Sequence, residues 1–192
     1  MNSHLTWYVA RGSGILTWAL LVASMIWGLL YATRLMRRRV SLWWLLGVHR
    51  FLGVLAIVFT IVHVVALILD QYIDFHLTDV LIPFTSNWHP VATAWGIIAM
   101  YLLVTIEVTS LLKSRLPHRW WRNVHLASYP LFALATVHSL SAGTDTIAVF
   151  GDGFAVALGA IAIALALVLL DRRATIDPNR PVPARRTPTY TR

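Results

Sequence analysis

Eight histidines and no cysteine set the chemistry open to this chain. Without thiols there are no disulfides, thiolate metal ligands or cysteine nucleophiles, so ligating work falls to imidazole, a cofactor or both. His4, His76, His89 and His118 lie in the N-terminus or in links and take a solvated reading. His49, His63, His125 and His138 lie in long apolar stretches, where an ionisable side chain is costly and marks a pathway or a ligand site. A single histidine of this kind is explained as well by an interhelical hydrogen bond. Four of them, two in each of two stretches, are not. His49 and His63 are 14 residues apart and His125 and His138 are 13 apart, which defines two levels roughly 20 Å apart on a helix axis. One neutral imidazole on each side of an iron, at two levels, is the ligand set of two bis-histidine haems. An iron saturated in this way suits electron transfer better than oxygen binding.

The elements that carry these histidines are expected to cross a membrane. Of 192 residues, 58% are hydrophobic and 12% charged, too apolar a balance for a soluble domain that must cover itself with polar side chains. The net charge of +8 raises the question of nucleic acid. The basic residues sit in short clusters between apolar stretches, so topology explains them and no nucleic-acid partner is expected. Five windows are long enough to span a bilayer as helices: about 14–33, 43–69, 91–112, 124–142 and 154–170. An open sheet would leave backbone groups unpaired in lipid, so an all-α integral membrane bundle of five transmembrane helices around two b-type haems is expected. Residues 1–13 form an extracytoplasmic N-terminus with no cleavable secretory signal. Residues 14–170 form the membrane domain, and 171–192 a disordered, basic, Pro-rich cytoplasmic tail that meets anionic lipid.

Arginine and lysine orient the bundle. Arg34, Arg37, Arg38 and Arg39 follow span one, Lys113, Arg115, Arg119 and Arg122 follow span three, and six arginines lie in the tail. The links 70–90 and 143–153 hold no Lys or Arg but hold Asp70, Asp74, Asp79, Asp145 and Asp152. Short basic loops stay in the cytoplasm, which places the N-terminus outside and the C-terminus inside. Arg11 is the exception, against fourteen cationic residues on the cytoplasmic side.

Spans two and four then run in the same direction, and their histidines register in depth. His63 and His138 each precede an outer aspartate, Asp70 and Asp145, by seven residues. His49 adjoins Arg50, and His125 follows Arg122 by three residues. Fourteen residues is close to four turns, so His49 and His63 share a face. Thirteen leaves His125 and His138 roughly 140° apart on an ideal helix. Pro130 lies between them, where it is placed to kink or rephase the helix.

Arg50 beside His49, the H-x13-H of 49 and 63 and the H-x12-H of 125 and 138 resemble the ferric reductase-like transmembrane domain, the membrane part of NADPH oxidases and ferric reductases. The segment Arg119-Trp-Trp-Arg-Asn-Val-His125, with Tyr129 and His138 after it, is also similar to the haem-binding membrane subunit of bacterial periplasmic methionine sulfoxide reductase. The likeness covers about residues 14–170. It implies that His49 and His125 ligate the iron of an inner haem, and His63 and His138 that of an outer haem. It also implies the haem-containing membrane component of an oxidoreductase, in the plasma (inner) membrane of a bacterium. The chain departs from the oxidases in holding no flavin and NADPH domain and in showing one span fewer. A separate cytoplasmic flavin reductase or a membrane quinol is therefore the expected donor, bringing flavin or quinone as further cofactors. Ferric iron or an extracytoplasmic redox protein is the expected acceptor. Unlike many of the methionine sulfoxide reductase subunits, this chain keeps a histidine at the inner position of span two.

Haem propionates call for cations or donors near the membrane surface. Arg50, Arg122, Arg119 and His118 are candidates inside, Arg50 foremost, and Arg11 or His89 outside; the alternative for each is a solvated charge of the topology signal. The tryptophans near predicted interfaces, Trp43, Trp44, Trp88, Trp120 and Trp121, read first as an anchoring belt. Glu107, a turn inside the cytoplasmic end of span three, reads either as a carboxylate snorkelling to the interface or as a proton or quinol site. A reading from another class is a non-redox membrane transporter or assembly factor that uses its histidines for protons or metal ions. Such a protein more often shows broken helices or inverted repeats at the midplane, and its histidines have no reason to pair in depth.

Overall fold

A computed structural model describes residues 3–33, 40–70, 75–142 and 161. Among them the chain is helical without strands: α1 (Ser3–Thr33), α2 (Leu42–Leu69), α3 (Leu77–Leu81), α4 (Pro90–Leu111), α5 (His118–Leu126) and α6 (Ser128–Ala142), with one 3-10 turn over Lys113–Arg115. Three helices, Leu5–Thr33, Leu42–Leu69 and Pro90–Leu111, are long and apolar enough to cross a membrane. They are apolar on every side, the composition of a helix whose outer face meets lipid. The protein is an all-α membrane protein. The expected fifth span, 154–170, falls outside the described residues apart from Ile161, as does the tail 171–192.

Local chemistry sets the helix ends. Ser41 caps α2, its hydroxyl accepting from the Trp44 amide at 3.2 Å, and Pro90 opens α4 where its missing N–H is no loss. α1 begins at Ser3, well before the apolar window that starts near Gly14. Thr6, Ala10 and Ser13 are buried along this extension. Thr6 donates to the buried carboxylate of Asp70 at 2.9 Å, tying the start of α1 to the end of α2.

α1 and α2 pack as one antiparallel hairpin and α4 and α6 as another; α1 also meets α6, and α2 meets α4. The buried residues where they converge are Leu20, Leu21, Ala56, Ala99, Leu103, Ile106, Leu131 and Phe132. Ala56 lies seven residues from His49 and seven from His63, so this apolar layer sits midway between the two histidine levels. Ala56 and Ala94 have no exposed surface, in keeping with small residues that let membrane helices approach closely.

Span four departs from a single continuous helix. It is broken at Ala127 into α5 and α6. The Ala127 amide bonds back three residues to the Val124 carbonyl at 2.9 Å, and the ladder resumes when Leu131 bonds Ala127 at 3.0 Å. Pro130 is the reason: it has no N–H for the carbonyl of Leu126, four residues before it. The short α5 carries exposed Arg119, Trp120 and Arg122.

Candidate functional site

The break in span four brings its two histidines onto the same side. His49 and His125 meet with ring centroids 6.0 Å apart, and His63 and His138 meet at 6.5 Å. Both couples cross from α2 to the opposite hairpin, one couple at each level. Imidazole nitrogen binds a metal at about 2.0–2.1 Å and the ring centre lies roughly 1 Å behind it, so a metal gripped from both sides sets centroids roughly 6 Å apart. Each couple has that separation.

Neighbouring helices settle the tautomers. His63 Nδ1 donates to the Ala10 carbonyl at 2.6 Å, and His138 Nδ1 to the Ala92 carbonyl at 2.7 Å. His49 Nδ1 lies 3.0 Å from the Ser24 carbonyl and 3.1 Å from its hydroxyl. A carbonyl only accepts, so in these three rings the proton is on Nδ1 and Nε2 keeps its lone pair, the form that ligates metal. His125 is held less tightly, its Nδ1 lying 3.5 Å from the Ser110 hydroxyl. It is instead backed by an aromatic ring: Trp121 stacks on it at 5.1 Å, and the Lys113 ammonium sits 3.9 Å from the centroid of the Trp121 ring.

Glycines give the rings room. A Cβ at Gly14 would stand 3.0 Å from the His63 ring, one at Gly28 3.2 Å from the His49 ring and one at Gly96 2.7 Å from the His138 ring. Gly14 and Gly28 are 14 residues apart on α1, as are Ala10 and Ser24, the same interval as His49 to His63 on α2. In an antiparallel hairpin this makes one repeated arrangement of carbonyl, glycine and imidazole at both levels. The sequence carried that signal in the matched intervals, and it is missed when the histidines are read alone.

A cavity of about 510 Å3 opens beside the His63–His138 couple, lined by both histidines and largely by apolar groups, among them Trp18, Ile97, Met100 and Leu131. That volume is in the range of cofactor pockets. Phe75, Val80 and Trp88 of the link and Trp7 of α1 also line it. Arg11 also lines it, its guanidinium 4.9 Å from the centroid of the Trp7 ring. Among the described residues no three His, Asp or Glu side chains converge. Two imidazoles undersupply a bare metal ion, which takes three or four protein ligands, whereas a porphyrin brings four nitrogens of its own. At the outer couple the donor set, the separation and the apolar cavity fit haem; at the inner couple the donor set and the separation do.

A family model of the ferric reductase like transmembrane component matches residues 13–136, about two thirds of the chain. The chain belongs to this family. No curated protein and no solved structure matches it. In this ferric reductase-like chain the matched segment takes in His49, His63 and His125 and stops two residues short of His138; the fourth histidine is placed by its contact with His63.

The remaining candidates of the ferric reductase-like domain separate. Arg50 and Arg122 are exposed. His76 is solvent-facing and sits 3.6 Å from Asp79 at the start of α3. His89 lies edge-on to Trp88 at 4.9 Å, outside the cavity lining. His118 packs on Trp121 at 5.5 Å. At the His49 level, Trp27 Nε1 is a buried donor with no acceptor among the described residues.

Proposed function

We propose that this membrane domain conducts electrons across the bilayer by holding two b-type haems, one in each leaflet. The observation that carries the proposal is the pair of cross-helix imidazole couples at haem-ligating separation, 6.0 and 6.5 Å between ring centroids. His49 and His125 hold the inner group and His63 and His138 the outer one. When bound, iron porphyrin would supply reversible one-electron chemistry, with these imidazoles as the protein's ligands to it.

The chain does the rest. Ala10, Ser24 and Ala92 hold three ligands in the tautomer with a free Nε2. Gly14, Gly28 and Gly96 let the rings sit against the helices that hold them. The layer around Ala56, Leu103 and Phe132 keeps water out between the levels. Arg11, lining the outer cavity, is the cation for carboxylates there, which gives the one basic residue on the wrong side of the charge rule a task. Arg50 and Arg122 are the cations proposed for the inner carboxylates.

With the basic links in the cytoplasm, electrons enter at the His49–His125 level from a separate cytoplasmic flavoprotein or from membrane quinol. They leave at the His63–His138 level to an extracytoplasmic acceptor, ferric iron or a redox protein. The membrane is the plasma (inner) membrane of a bacterium. The test is the reduced-minus-oxidised spectrum of the purified protein: b-type bands with two haems per chain are expected, and a colourless protein overturns the reading.

A further inference from the structure

Glu107 is an acidic residue inside an apolar helix, and the histidine couples do not use it. Helical side chains lean towards their own N-terminus, so on α4 Glu107 leans away from the near end at Leu111 and deeper into the bundle. Its carboxylate lies against the buried Gly53 of α2, with Cδ 2.9 Å and Oε2 3.2 Å from the position a Cβ would take there and Oε1 nearer still. Gly53 is one turn beyond His49. Ser110, one turn along α4 from Glu107, is the residue that reaches His125. The half-buried carboxylate is thus set into a glycine notch between α4 and α2, one turn from His49. Among the described residues no hydrogen bond or ion pair holds it.

We propose that Glu107 is the proton-accepting group of the inner site. It takes up a proton from the cytoplasmic side when that site gains an electron, and releases it when the electron moves on. The proposal rests on the haem reading above. The balance is one electron from the flavin or quinol donor, reducing Fe(III) to Fe(II), and one proton from water, converting the carboxylate to the carboxylic acid. The gain in negative charge at the iron is cancelled nearby by a loss at Glu107, which matters where the surroundings screen charge poorly. Among the described residues, the other charged and titratable groups towards this end are Tyr31 on α1, His49 and Arg50 on α2, Lys113 and Arg115 in the 3-10 turn, His118, Arg119, Arg122 and His125 on α5, and Tyr129 on α6. Arg50 is exposed and one turn from Gly53.

Spectroelectrochemical titration of the full chain at a series of pH values tests this, with His63→Ala used to leave the inner haem alone. The inner midpoint should fall as pH rises, by up to about 59 mV per tenfold drop in proton concentration for a one-electron couple. Glu107→Gln should flatten that slope and Glu107→Asp should keep it. A pH-independent inner midpoint in the unsubstituted chain, or a slope that survives in Glu107→Gln, overturns the proposal while leaving the haem reading intact. A protein without b-type absorbance overturns both.

Discussion

An imidazole that donates its Nδ1–H to a carbonyl has one nitrogen left to offer, and it is aimed by the helix that supplies the carbonyl. Three of the four ligand candidates are fixed in this way, by Ala10, Ser24 and Ala92. Each such bond contributes about 1 kcal/mol net, but its larger effect is on the ligand's orientation, and changes in this outer shell typically cost about 10–100-fold in metal affinity. The glycines act on the same atoms from the steric side. Gly96→Ala, whose Cβ would stand 2.7 Å from His138, is expected to weaken retention of the outer haem by about tenfold. Gly12→Ala, with nothing within 4 Å, should leave it unchanged. Haem content after detergent dilution distinguishes the two. None of this was visible in the histidines themselves: which glycine faces which ring depends on how two helices register, and residue types along one helix do not state it. Glu107 is different. The lean of side chains towards the helix N-terminus is a local rule, and applied to a helix running inward it already points this carboxylate away from the cytoplasmic interface.

Helices form the next scale, where hydropathy and length carried most of the reading. α2 (Leu42–Leu69) and α4 (Pro90–Leu111) lie within a residue or two of the apolar windows, because exposure to lipid is written into every residue of a span. α1 begins earlier, since Thr6, Ala10 and Ser13 are buried by packing rather than by lipid. The break at Ala127 is an event of phase. An unbroken helix would leave His125 roughly 140° from His138, and Pro130 supplies the interruption that removes the mismatch. Pro130→Ala restores a donor to the ladder and favours a continuous helix across 118–142. The expected outcome is selective loss of the inner haem, because His125 is swung out of line while His138 stays fixed by Ala92. Equal loss of both haems, or of neither, would show that the break is held by something other than the proline.

At the scale of the whole molecule, two polar levels are separated by an apolar layer and flanked by links of opposite charge. The described part of the acidic link packs against the bundle, with Phe75 and Val80 buried and lining the outer cavity. The described basic link, with Lys113 and Arg115, lies at the other end, and Lys113 is part of the Lys113–Trp121–His125 stack. Because the chain has no cysteine, its orientation can be read from single introduced thiols. Thr85→Cys should react with an impermeant maleimide added to intact cells, and Arg115→Cys only after the membrane is opened. The reverse pattern would invert the direction of electron flow.

The central claim is that the four histidines work as two couples across helices, and haem retention in single histidine-to-alanine variants tests it most directly. His49→Ala and His125→Ala should lose the same haem, His63→Ala and His138→Ala the other, each variant keeping about one haem of two because each iron needs both of its axial imidazoles. Undiminished haem in any of the four, or losses that group His49 with His63 and His125 with His138, would contradict it.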